Sequence, residues 1–179
     1  ETLRSFVFDL RVHVIIGCAV LSILAGGIIN QFYDKEKDQL TKPFRTRLQS
    51  FLKQKYFLYV YLLLVIVSLT VACFISYRVF LFFLIYQFMM WFYSHKLSKI
   101  IVLNNLCFVA LTLYPFFGML VYYQTFSINI LWMAMFLFFM LLCIDIIKDI
   151  LTNAADKVYG YETLATKFGS SITSKIVQS

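Results

Sequence analysis

The stretch IIVLNNLCFVALTLYPFFGMLVYYQTFSINILWMAMFLFFMLLCI, residues 100–144, carries no charged side chain over 45 positions. One helix crosses the hydrocarbon core of a bilayer with roughly 20 residues, so a run of this length holds two spans and a turn. The turn is expected near Gln124 to Asn129, where polarity is highest. Outward from this run, Tyr56 to Tyr77 and Val12 to Tyr33 are also free of charge. Arg78 ends the first of these, and a shorter apolar segment follows it. The chain therefore reads as all-α, a multi-span transmembrane helix bundle. Five spans are expected near 12–33, 56–77, 79–95, 103–123 and 128–149, in a single membrane domain covering 1–179.

Composition agrees. Apolar residues make up 61% of the chain and charged residues 14%, against about 25% charged in a soluble domain. Lysine and arginine orient the bundle. Loops at 34–55, 95–102 and 150–179, with Lys148 at the edge of the last, fall on one side of five alternating spans and hold thirteen of the sixteen basic residues. Arg4, Arg11 and Arg78 are the other three. Such asymmetry marks the basic side as cytoplasmic. The net charge of +7 is mostly this bias, and with no basic stripe on a recognition fold it gives no reason to expect nucleic-acid binding. Cys18, Cys73, Cys107 and Cys143 stand singly in apolar spans, and neither His13 nor His95 has a partner at ligand spacing. A zinc site is not expected.

Two acidic clusters fall on the basic side. Asn30, Asp34 and Asp38 are spaced by four, which places them on one face of a helix. Asp145, Asp149, Asn153 and Asp156 close the last span. Carboxylates stacked at the rim of a membrane repel each other and need a cation. Magnesium takes oxygen ligands, commonly one or two carboxylates with substrate phosphates completing the shell. Asp34 and Asp38 suit one such ion, with the Asn30 amide orienting a ligand. Asp149 and Asp156, seven apart, suit a second ion bridged to the first by a diphosphate. Lys96, Lys99 and Lys148 are placed to neutralise phosphate oxygens. A diphosphate held this way leaves readily, and the apolar bundle suits a long hydrocarbon tail. Either cluster alone is as well explained by a solvated helix end.

The stretch Gly27-Ile28-Ile29-Asn30-Gln31-Phe32-Tyr33-Asp34-Lys35-Glu36-Lys37-Asp38, with Lys42-Pro43 after it, resembles the first aspartate-rich motif of the UbiA superfamily of intramembrane prenyltransferases. Tyr93-Ser94-His95-Lys96-Leu97-Ser98-Lys99 is similar to the Tyr-Ser and basic segment of that family's second cytoplasmic loop, and Asn105 suits the asparagine that follows it. Lys148-Asp149, Asp156, Gly160, Thr163 and Gly169 resemble the second aspartate-rich motif and its tail. The likeness runs roughly from Val12 to Gly169.

The resemblance implies an intramembrane prenyltransferase that uses magnesium. It would move a prenyl group from a prenyl diphosphate to a lipophilic acceptor, often an aromatic ring, within membrane lipids. It also implies metal ligation by Asp34, Asp38, Asp149 and Asp156, and substrate binding by Asn30, Tyr93, Lys96, Lys99, Lys148 and Asn153. There are departures. The earlier aspartate of the second motif falls on Thr152, which Asp149 and Asn153 replace only in part, so the second metal is expected to bind weakly. The family has about nine helices against five here, so the chain reads as an internal fragment or a reduced member, inactive by itself. A transporter or a non-catalytic membrane scaffold is the competing reading. A transporter would be expected to keep its carboxylates near the midplane rather than at one rim.

Overall fold

A computed structural model describes residues 8–50, 53–124 and 127–178. The described residues are helical and contain no strand. In chain order the helices are α1 (Leu10–Tyr33), α2 (Lys35–Thr41), α3 (Pro43–Ser50), α4 (Gln54–Ile75) and α5 (Tyr77–His95). A 3-10 turn at Leu97–Lys99 follows, then α6 (Leu103–Tyr123), α7 (Ile128–Val158), α8 (Leu164–Phe168) and α9 (Ser170–Gln178). Among the described residues α1, α4, α6 and α7 are long and apolar enough to cross a membrane. The expected third span, α5, is a continuous helix of 19 residues. Its tyrosines, Arg78 and Gln87 make it less apolar than the other four. Broad apolar faces are exposed, including Leu63, Ile66 and Phe74 on α4 and Trp132, Phe136 and Phe139 on α7, as lipid-facing surfaces require.

The helices form two compact units. The first comprises Glu1–Tyr33 with Gln49–Trp91. Its centre is the α1–α4 pair. Small residues let these backbones approach: Ser22, Ala25, Ser68 and Ala72 are all buried. With no hydrophobic drive between helices in lipid, such close packing and polar contacts supply the association. The Ser22 and Ser68 hydroxyls share a hydrogen bond of 2.9 Å, and Ser68 also reaches the Cys18 carbonyl at 3.2 Å. Gly26 leaves room for the Met90 side chain of α5, which a Cβ at that position would strike.

The second unit comprises Asp34–Leu48 with Phe92–Ser179. α7 contacts α2, α6, α8 and α9. It is 31 residues long, so it does not stop near Asp149 as the apolar pattern suggests. At 1.5 Å per residue it extends roughly 46 Å, which leaves its polar last turns beyond a span. Gly160, at φ 71°, turns the chain back after α7, and the Thr163 side chain caps α8.

The first motif also differs from expectation. Asn30, Asp34 and Asp38 do not share one helix. α1 ends at Tyr33, and Asp34 takes the cap position of α2 with φ −90° and ψ 8°. A carboxylate suits that end of a helix dipole. The Asp38 amide still donates to the Asp34 carbonyl at 2.8 Å, so the two aspartates stay one turn apart.

Candidate active site

Nine of the ten expected site residues, and with them both acidic pairs Asp34/Asp38 and Asp149/Asp156, lie in the second unit. Asn30 belongs to α1 of the first unit. Within the second unit, the two acidic motifs are joined by side chains. The Tyr161 hydroxyl donates to Asp34 Oδ1 at 2.6 Å. Lys37, on α2, pairs with Asp156 Oδ1 at 2.5 Å. That contact lies off the direction of a hydrogen bond and is an ion pair only. Thr152 donates its hydroxyl to the other oxygen of Asp156 at 2.7 Å.

Tyr161 also holds two ammonium groups. Lys37 Nζ lies 4.2 Å and Lys99 Nζ 5.3 Å from the centre of its ring, where the negative face of the ring attracts a cation. The turn that presents Tyr161 is fixed by its backbone: the Tyr161 amide donates to the Asp156 carbonyl, and the Glu162 amide donates to the Lys99 carbonyl at 3.1 Å. Burial, then the negative charge of Asp34 and the hydrogen bond to it, push the Tyr161 hydroxyl well above the ordinary range of a phenol. It is therefore a neutral donor at any physiological pH.

A second network surrounds Asp149. Asn105 donates to Asp149 Oδ2 at 2.9 Å and to Asp145 Oδ2 at 2.8 Å. Asn104 approaches the same Asp149 oxygen at 3.4 Å and accepts a hydrogen bond from the Tyr93 hydroxyl at 2.9 Å. Both asparagines sit in the first turn of α6. A tight turn at Val102 delivers them: its φ is 66° and ψ −47°, and the Leu103 amide donates across it to the Ile101 carbonyl at 2.7 Å. Lys148 reaches Asp145 Oδ1 at 3.3 Å and remains half exposed.

Asp38 is buried and accepts from Lys42 at 3.0 Å, with the Thr41 hydroxyl at 3.5 Å. Asn153 donates to Ser170 at 2.8 Å, leaving its buried carbonyl oxygen without a hydrogen bond. Lys96 is exposed in the turn after α5. The motif spacing did not single out Lys37, Asn104 or Tyr161. Lys37 was visible as a basic residue placed inside an acidic motif. Tyr161 carried no signal, because nothing in a sequence says which aromatic closes a turn over a carboxylate.

The donor set is oxygen throughout, which is magnesium's preference. Among the described residues no three Asp, Glu, His or Cys side chains converge to hold an ion by themselves. The Asp34–Asp38 pair nonetheless fits an ion that takes one or two carboxylates and completes its shell from substrate phosphate. The Asp156 carboxylate does not fit as readily, since Lys37 and Thr152 engage both of its oxygens.

A model of the UbiA prenyltransferase family matches residues 4–178. The chain belongs to this family. It is 30% identical over 162 residues to digeranylgeranylglyceryl phosphate synthase of Methanosphaera stadtmanae, covering 88% of this chain and 58% of that protein. It is 28% identical over 163 residues to the protein of the same name from Sulfurisphaera tokodaii, again covering 88% and 58%. The chain thus spans less than two thirds of the length of these curated relatives. No solved structure gives a significant match. UbiA membership and the four apolar helices make this an integral membrane protein of a transferase family.

Proposed function

We propose that this protein transfers a prenyl group from a prenyl diphosphate to a lipophilic acceptor, with magnesium, at the rim where its two acidic motifs meet. The observation that carries the reading is the pair of bridges between motifs, Tyr161 to Asp34 and Lys37 to Asp156, inside one compact unit. Asp34 and Asp38 would hold the ion, and when bound it would neutralise the diphosphate oxygens. Lys99 and Lys148 would add positive charge to the same oxygens. Asn105 and Asn104 keep Asp149 oriented, and Tyr93 steadies Asn104 in turn. The carbon–oxygen bond to the diphosphate breaks with its electron pair leaving on oxygen. The acceptor then bonds to the allylic carbon and loses a proton. Asn30, Lys96 and Asn153 are proposed to contact substrate. The loops at 34–55, 95–102 and 150–179 are proposed to be cytoplasmic, in one membrane domain of five spans.

The acceptor has two candidates. An aromatic ring is the expectation from the family at large. The names of the two relatives point to a glyceryl phosphate instead, so a glyceryl phosphate lipid is the second acceptor to offer.

Diphosphate release from a prenyl diphosphate by the intact protein tests the reading. Release should require magnesium, and Asp34→Asn or Asp38→Asn should lower it by about 100-fold or more, the order lost when one electrostatic stabiliser of a transition state is removed. Full activity in excess chelator or in both variants would overturn it. Mass analysis of the prenylated product, with each acceptor supplied in turn, decides between arene and glyceryl phosphate.

A further inference from the structure

Asp156 has no exposed surface, and a fully buried carboxylate must find a cation or hydrogen-bond donors. Here both are supplied by the chain. Lys37 engages one oxygen and Thr152 donates to the other. Lys37 is itself held firmly. Its side chain is only 14% exposed, and its ammonium sits over the Tyr161 ring. Thr152 brings no charge of its own, and its hydroxyl is also directed at the Lys148 carbonyl, 3.1 Å away. A divalent ion bound to Asp156 would meet this ammonium within a few ångströms. Like charges at that distance in a poorly solvated site repel strongly. The ion would have to expel Lys37 from a contact that the surrounding residues reinforce.

We propose that the Lys37 ammonium takes the place of a second divalent ion at Asp156, so that this protein binds one ion with its diphosphate instead of two. The inference rests on the magnesium-dependent reading above and adds a division of labour to it. Asp34 and Asp38 remain for the ion. Lys37 supplies a fixed positive charge and N–H donors on the side of Asp156, present before any substrate arrives. Lys37 directly precedes Asp38 on α2, so the same contact also ties the first motif to α7 without a bridging metal. An ammonium carries half the charge of a divalent ion. Lys99, on the same Tyr161 ring, is placed to make up part of the difference.

The test is a count of bound Mn2+ per chain on the intact protein, with inorganic pyrophosphate as the probe, by equilibrium binding and electron paramagnetic resonance. One tightly bound ion per chain, with no exchange-coupled pair, is expected. A double variant, Lys37→Met with Thr152→Asp, should gain a second ion and the spectrum of a coupled pair. A coupled pair in the wild type would overturn the inference and leave the magnesium reading standing. No bound ion at all would overturn both, so the two failures are distinguishable. A double variant that melts cooperatively yet still binds one ion would also overturn it. The wild-type count needs no variant to fold.

Discussion

Tyr161 shows what a single side chain contributes to this site. Its hydroxyl fixes Asp34 and its ring gathers two lysines. Tyr161→Phe keeps the ring and removes only the hydroxyl. A hydrogen bond to a charged group is worth about 1.5–3 kcal/mol, and the loss should appear as a lower melting temperature and a raised KM for the prenyl diphosphate. The pH dependence has a definite sign. The folded hydroxyl ionises above the unfolded value of about 10, because burial and Asp34 oppose the phenolate. Its stabilisation is therefore complete below the unfolded value and is lost as pH rises toward the folded one. The stability difference between wild type and Tyr161→Phe should be constant from about pH 6 to 9 and shrink only above about 10. A difference that varies within the neutral range would show that Tyr161 is not held neutral. The carboxylates of this site were legible in the sequence because their type and spacing already state a chemistry. Lys37 and Tyr161 were not, since their roles arise from contacts between segments more than a hundred residues apart.

At the scale of an element, the strained turn before α6 is the feature with the clearest consequence. Val102 is β-branched and sits at φ 66°, ψ −47°, a classic γ-turn that side chains other than glycine's adopt only with strain. Strain of this kind costs about 1–3 kcal/mol. The turn is retained where it aims Asn104 and Asn105 at Asp149 and Asp145. Val102→Gly should raise stability by about 1 kcal/mol, since glycine adopts this backbone freely. Activity should be kept if the asparagines stay aimed; equilibrium unfolding in detergent and the diphosphate-release assay read the two effects. In the first unit, a double-mutant cycle on Ser22→Ala and Ser68→Ala should give a coupling of about 0.6 kcal/mol, typical of hydrogen bonds between membrane helices. Long apolar helices were legible because charge gaps reveal them directly. The break at Asp34 and the two short helices between residues 35 and 50 were not. Lys35–Thr41 is polar apart from Leu40, so no apolar period marks where one helix stops and the next begins.

For the whole molecule, contacts inside the second unit bear on the proposed count of membrane crossings. Tyr161 bonds Asp34, so the segments around residues 34 and 161 lie on the same side of the membrane. An even number of crossings must separate them. The helices between are α4, α5, α6 and α7. Three of these are apolar enough to cross on composition alone, and three is odd. The hydrogen bond therefore supports α5 as a fourth crossing. The Glu162 amide donating to the Lys99 carbonyl gives the same result in two halves. It places residue 99 on the side of residue 161, with α6 and α7 between them. Residue 99 then shares a side with residue 34, so a crossing by α4, which is long and apolar enough for one, implies a return crossing by α5. A crossing α5 would carry Tyr86 and Gln87 through the hydrocarbon, a cost that its phenylalanines and Leu81, Leu84 and Ile85 offset. In the proposed topology the basic bias would put residues 34, 99 and 161 in the cytoplasm. Single cysteines at Gln39, Leu97 or Glu162, in a protein lacking Cys18, Cys73, Cys107 and Cys143, should resist a membrane-impermeant maleimide added outside intact cells. Single cysteines at Ser76 and Gln124 should react with it. Labelling of Leu97→Cys together with Ser76→Cys would mean that α5 does not cross, and would break the argument from parity.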